Sequence, residues 1–426
     1  MQRTKLNPHL KERIYVALLM AVAVTLPLSI LANGISIFAI LAFLVWTGDI
    51  RNISTAFTSK SNLLLPGLFA FYVLGVTYST DQETGFQELE KKLALIAFPF
   101  IFACIPTLSQ KNKRTVLLLF AFTMVALGLI CLGNAARLNY LDGFTIHRLY
   151  ESVFEHKYRD TVFPFFNYWY FTYDFLSKPI GIHPIYFSMY INLSIIILYL
   201  YENWLPKIIK AGILSFQFLI LLLLSSRTQF AVGLLITLYF LINDLRQKKY
   251  LFMVGISLLV FSLSFMVFKY NPLAKLRISE ALDLNHDYHH NQYGGRSLRM
   301  KKWACALIVW ERNPIFGTGT GGDNVALKAV YKEQNFMEGY RANYNAHNQY
   351  LQILMGLGLV GLLYFLFVLF TLFKESVSTG NQLFTFFILL FAISVLTESM
   401  FSVQKGIVFF SFFTGLIGYR TKETES

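Results

Sequence analysis

Charge is scarce in this chain. Asp, Glu, Lys and Arg make up 14% of its 426 residues, where a soluble domain carries about a quarter. Hydrophobic residues reach 55% and mean hydropathy is +0.50. So little polar material cannot cover a water-facing surface. The two or three soluble domains that the length would allow are therefore excluded, and lipid is part of the solvent. Cysteine is scarcer still. Cys104, Cys131 and Cys305 make no disulfide framework, and they read as packing residues. Several catalytic signatures are missing as well: H-E-x-x-H, G-x-S-x-G and paired carboxylates are absent, which removes the hydrolase classes those motifs serve.

What is present is apolar length. Stretches able to cross about 30 Å of hydrocarbon fall near 14–31, 34–47, 62–78, 93–108, 115–133, 184–201, 208–225, 228–243, 250–268, 350–373, 382–399 and 405–419. The first follows Arg3, Lys5, Lys11 and Arg13, as a signal peptide would. It is too long for an h-region and has no A-x-A site before Asn33-Gly34, so it reads as a retained helix. Gly34 marks a short turn between the first two spans. An all-α polytopic membrane protein of about twelve spans follows. It divides into a bundle over 1–268, an outer loop over 269–349, and three C-terminal spans with a short tail over 350–426.

The net charge of +13 is distributed unevenly. With both termini inside, the inner segments carry seventeen Lys and Arg against seven Asp and Glu. This is the bias of cytoplasmic loops and sets the orientation. The outer loop 269–349 has a small surplus of its own, eleven cations against seven acids. A basic surplus facing outward beside a membrane suits a lipid phosphate and not a nucleic acid.

Two outer segments exceed what a minimal bundle needs, 134–183 and 269–349, and long loops without repeats are usually functional. The first is crowded with aromatics from Phe163 to Phe175. It reads either as a structural loop in the membrane interface or as a wall beside a lipid-entry cleft. Arg227 stands at the outer mouth between two apolar runs, in Leu-Leu-Ser-Ser-Arg-Thr-Gln-Phe. Its guanidinium either grips phosphate or snorkels to the interface. Glu398 ends the eleventh span, with Lys405 across a short turn. In the large loop, 297–311 has the spacing of an amphipathic surface helix, and Arg296 and Arg299 fall on one face. Gly317, Gly319 and Gly322 spell G-x-G-x-x-G without a βαβ context, which excludes a dinucleotide site. Such a turn either presents N–H groups to phosphate or sugar or is merely flexible. His347 opens the tenth span. It suits proton transfer from a hydroxyl, with a structural cap as the alternative, while Asn345, Asn348 and Gln352 offer directional hydrogen bonds to a sugar. His286, His289 and His290 lack the carboxylate or Cys spacing of a metal site and read as solvated loop.

The stretch from Gly295 to Gly361 resembles the signature of the O-antigen ligase and polymerase superfamily. The resemblance rests on Gly-Arg, a Trp seven residues later, Asn-Pro-Ile-Phe-Gly-Thr-Gly, and His-Asn-Gln-Tyr-Leu-Gln leading into Gly-Leu-Val-Gly. Ser-Arg-Thr at 226–228 and the Glu398 region are similar too. The resemblance implies a GT-C-like, metal-independent, cofactor-free glycosyltransferase of the bacterial inner membrane, with its active site periplasmic. Its donor would be a glycan on undecaprenyl diphosphate. Its acceptor would be a lipid A–core sugar in a ligase, or another lipid-linked repeat in a polymerase. With only Arg420–Ser426 after the last span, the chain is expected to differ from the related protein O-oligosaccharyltransferases that bear a soluble C-terminal extension. Arg227 and Arg296 would bind the diphosphate and His347 would orient or deprotonate the acceptor hydroxyl. Arg299, Arg312 and Arg341 are further substrate-binding candidates, and the oligomeric state is left open. A lipid-linked glycan flippase or transporter, the alternative from another class, would call for internal symmetry and mid-membrane polar residues.

Overall fold

A computed structural model describes residues 6–52, 60–141, 168–246, Ser262 and 296–418. Every regular element among them is a helix. In chain order these are α1 (Pro8–Leu28), α2 (Ile30–Thr47), α3 (Lys60–Thr77), α4 (Gln82–Lys92), α5 (Ala94–Cys104), α6 (Gln110–Leu141), α7 (Tyr173–Ser177), α8 (Pro184–Tyr201), α9 (Lys207–Leu223), α10 (Arg227–Arg246), α11 (Arg296–Arg312), α12 (Gly322–Glu333), α13 (Met337–Ala342), α14 (Gln349–Ser378), α15 (Gln382–Ser394) and α16 (Gln404–Gly418). The expected span at 250–268 and the 286–290 histidines lie outside the described residues, Ser262 excepted. So does 142–167, the larger part of the aromatic segment.

Four of these helices are long and apolar enough to cross a bilayer: Ile30–Thr47, Gln110–Leu141, Pro184–Tyr201 and Gln349–Ser378. The dozen spans expected from apolar runs are thus not all met by single helices. At a rise of 1.5 Å per residue, α5 covers only about 16 Å. Leu93 stays right-handed (φ −55°, ψ −26°), however, so α4 runs into α5 with one loosened turn. The segment 79–92, which separates two apolar runs, is mostly the polar first half of a longer helical rod. The turn between α1 and α2 also lies earlier than expected. It is the single residue Ser29, extended at φ −149°, whose hydroxyl accepts from Ala32 N. Gly34 is inside α2. Buried Asn33 staples the pair, donating to the Val22 carbonyl at 3.0 Å and Thr25 Oγ1 at 3.2 Å. Such bonds are the adhesive between helices where lipid supplies no hydrophobic drive.

The chain divides into two compact units, one of Met1–Leu117 with Tyr288–Ser426, the other Leu118–Asp287. This differs from the three sequence segments, because hydrogen bonds join the N-terminal helices to the C-terminal ones. Lys113 Nζ donates to the Ile417 carbonyl at 2.7 Å, Lys405 Nζ to the Pro27 carbonyl at 3.2 Å, and Tyr78 Oη to the Phe316 carbonyl at 2.7 Å. Each tie joins segments that the Lys/Arg asymmetry assigns to one side. Lys11 and Tyr15 on Asp49, and Asn112 on Glu12, obey the same sorting.

In the second unit, α8 is buried from Pro184 to Leu198. A helix apolar on every side belongs inside a bundle. Of its buried Ser188, Asn192 and Ser194, two are paired across helices, Asn192 with Gln229 and Ser194 with Gln217.

In the first unit, α14 breaks at Gly358, where φ 64° and ψ −165° are not helical. That conformation is open essentially to glycine alone. The segment 313–319 fills the break. Leu359 N donates to the Pro314 carbonyl and Val360 N to Ile315, while Thr318 N and Gly319 N donate to Met355 and Gly356. The backbone groups freed by the break are thereby satisfied, as a membrane requires. Backbone meets backbone so closely that a Cβ on Gly358 would lie 2.2 Å from the Ile315 oxygen, and one on Gly317 2.5 Å from the Met355 oxygen. Gly358→Ala and Gly317→Ala are therefore expected to lose about 1–3 kcal/mol or more, from backbone strain alone. Gly133→Ala, in open space within α6, should be neutral to stabilising by up to about 1 kcal/mol. Thermal unfolding of the detergent-solubilised variants checks the contrast.

Candidate active site

His347 sits between α13 and α14, in the left-handed region at φ 47°. Histidine tolerates this better than most residues, but the conformation must be held by its surroundings. Four side chains hold it. Asn345 Oδ1 accepts from His347 N at 3.0 Å. Asn348 caps α14, accepting from Tyr350 N and Leu351 N, while its own N–H donates to Ser399 Oγ. Gln352 Oε1 accepts from Ala346 N at 3.2 Å, and Gln349 Oε1 from Phe401 N at 2.7 Å. Ala346 itself is fully buried, in a core of Cys305, Ala306 and Val309 from α11, Leu327, Val330 and Tyr331 from α12, and Met355 from α14. The side-chain oxygens of Asn345, Asn348 and Gln352 thus make local bonds, because a strained turn at a helix start has more orphan backbone donors than its own backbone can satisfy.

The turn aims the imidazole. His347 Nδ1 lies 3.2 Å from Glu398 Oε2, the His side chain 30% exposed and the Glu 8%. A carboxylate accepts, so Nδ1 carries a proton, and the tautomer with no second proton presents Nε2 as a lone pair. Glu398, which the sequence sets across a short turn from Lys405, meets His347, fifty-one residues earlier.

Cations stand beside this pair. Arg296, Arg299 and Lys302 recur every third residue of α11 and share one side of it. For Arg296 only the backbone, as first residue of the helix, is described. Lys302 is buried, its Nζ 3.7 Å from the centre of the Tyr344 ring, a cation–π distance. That ring in turn meets His347 edge-on, centroids 6.3 Å apart. Burial pushes the Lys302 ammonium down to about 8, Arg299 adds to this, and Glu398 and Glu338 oppose it.

Other expected residues are placed differently. Arg312 is held bidentately by Glu333, at 3.1 and 2.5 Å. A fork engaged in this way is not an open phosphate clamp. Arg341 is exposed on α13. Gly317 and Gly319 lie against the α14 break, and their N–H groups donate to the Asn313 and Gly356 carbonyls. Arg227, in the second unit, opens α10 two residues after Ser225, a left-handed residue at φ 51°. Buried Ser226 closes that turn through its carbonyl, which accepts from Phe230 N.

Sequence reasoning missed a polar cleft in the first unit. It encloses about 370 Å³, counting its open mouth, and is lined by Glu88, Lys92, Thr320, Asp323, Gln349 and Gln352 among others. Glu88 pairs with Lys92 at 2.5 Å and Lys91 at 2.7 Å. Burial works to raise the Glu88 carboxyl, but Lys92 and Lys91 outweigh it and hold it below the usual range. Burial raises the Asp323 carboxyl, with Glu88 adding to it, against the Gln352 hydrogen bond and Lys92. The only signals in the sequence were an Asp in the first turn after a glycine pair and Glu–Lys spacings of three and four.

Residues 212–366 match the family model described as O-antigen ligase. No curated protein matches the chain. The matched segment takes in Arg227, α11, the glycine-rich segment, the break in α14 and His347; Glu398 lies beyond it. The chain is therefore similar to the O-antigen ligases over residues 212–366, a little over a third of its length.

Proposed function

We propose that the protein is a GT-C-like ligase of the bacterial inner membrane, with about a dozen spans and both termini cytoplasmic. It moves a glycan from undecaprenyl diphosphate to a lipid A–core sugar hydroxyl at the periplasmic face. The observation that carries this reading is the Glu398-oriented His347 imidazole, set beside the cationic side of α11. Nε2 takes the acceptor proton as the new C–O bond forms. The bond from the sugar to the diphosphate breaks, and its electrons leave with the diphosphate. Glu398 keeps the ring in the useful tautomer and stabilises the imidazolium that results. Arg227 and Arg296 neutralise the leaving diphosphate, which lowers the barrier by favouring charge that grows in the transition state. The base needs little strength, because an oxocarbenium-like transition state forms before much proton transfer is needed.

His347→Ala and Arg227→Ala are each expected to abolish transfer while the protein still inserts. Glu398→Gln should lower turnover by about 10²-fold or more, since it removes orientation without removing the base. Assay of purified protein with lipid-linked donor and acceptor checks all three. Wild-type turnover in the first two would place the site elsewhere, and intact lipid-linked glycan transport without transfer would make the protein a transporter. Deletion followed by glycan gel analysis tests the acceptor. Complete loss of glycan from the core fits a ligase, whereas one remaining repeat fits a polymerase.

Transfer should survive a chelator, and its loss would return the 286–290 histidines to consideration.

Lys302 gives the pH dependence. Its cation is present below about 8 and is lost as pH rises through that value, so transfer should fall on the alkaline side. Lys302→Arg, charged throughout, should move the fall upward in a pH–rate profile.

A further inference from the structure

Gln352 is committed at both ends. Ala346 N is a donor, so the amide oxygen must face it, and the bond is 3.2 Å. Nε2 must then face the other way, and there it donates to Asp323 Oδ2 at 2.6 Å. The chain Asp323–Gln352–Ala346 therefore runs from the first turn of α12, across the first turn of α14, to the residue before His347. Each link allows one orientation only, because an inverted amide would set its NH2 against a backbone N–H and its oxygen against a carboxylate.

Asp323 is itself fixed. It belongs to the first turn of α12, where a carboxylate is favoured by the helix dipole. The residues before it are locked by Thr320, which donates through N to the Gly75 carbonyl and through Oγ1 to the Tyr72 carbonyl. A Cβ on Gly321 would lie 2.4 Å from Gly85 N. On its other side stand Lys92 and Glu88, across the polar cleft. The carboxylate is thus anchored on a rigid element and reaches the strained turn through one side chain.

We propose that Asp323 is a positioning residue: acting through Gln352, it holds the Ala346–His347 turn in its left-handed form, so that the imidazole meets Glu398 and faces the acceptor. This rests on the catalytic reading of His347. Asp323 touches no reacting atom. Its loss should lower kcat and leave donor and acceptor KM little changed, because the base is misplaced and not removed. Misplacement on the ångström scale costs about 10- to 100-fold in rate.

The test is an exchange of the two polar ends. Gln352→Glu keeps an acceptor for Ala346 N but sets two carboxylates face to face, and kcat should drop about 10- to 100-fold. Asp323→Asn, whose amide oxygen still accepts from Nε2, should drop less. In D323N/Q352E the new amide donates to the new carboxylate, and kcat should return to within a few-fold of the native value. Gln352→Glu at native turnover, or a double variant as slow as Gln352→Glu, would overturn the proposal. Should Gln352→Glu accumulate poorly, recovery of both yield and turnover in the double variant supports the chain, and recovery of neither overturns it. His347→Ala is measured alongside. If it remains active, the catalytic reading has failed; if it is dead while the exchange shows no rescue, only the positioning role has.

Discussion

The break in α14 is the constraint on which the first unit depends. A membrane helix cannot leave carbonyls and amides unpaired in hydrocarbon, and Gly358 frees several at once. The segment 313–319 supplies the missing partners, backbone to backbone. That exchange fixes where α11 ends and where α12 begins, and both helices carry the walls of the site. It also explains why glycines, and no larger residues, occur at 317, 319 and 358. They are the contact surface of two main chains.

The polar residues around His347 divide into those that hold and those that face outward. Asn345, Asn348, Gln349 and Gln352 are consumed in keeping one strained residue in place. His347 and Glu398 are what this arrangement presents, with Lys302 and Arg299 supplying charge nearby. A site of this kind has few contacts left for recognition in its immediate shell. Its precision comes from rigidity, which suits a reaction needing one modest base and neutralisation of a leaving diphosphate.

Much of the architecture was legible because membrane burial leaves a coarse signature. Apolar runs located most of the described helices. Periodicity over 297–311 gave α11 within a residue at each end. His347 stood out because an imidazole at the mouth of an apolar run is costly without a purpose. What escaped were features set by long-range pairing. Nothing local distinguishes the Glu398 that meets His347 from one that meets Lys405. The glycine pattern at 317–322 is the same whether its amides face a phosphate or another backbone, and only the break in a helix some forty residues later decides. The α1–α2 turn was misplaced for a related reason. Gly34 is the conspicuous residue, but Ser29 both extends the chain and caps the next helix.

Thr320 also bears on how the molecule is made. Its hydroxyl bonds a carbonyl 248 residues earlier in the chain, and its neighbours complete their pairing only with α14, synthesised later still. Strand-like exchange between 313–319 and 355–360 cannot exist until that helix has left the ribosome and entered the bilayer. The His347 turn, at the near end of the same helix, is assembled in the step that closes the break. A protein whose last helices fail to insert would hold every earlier span and still have no site.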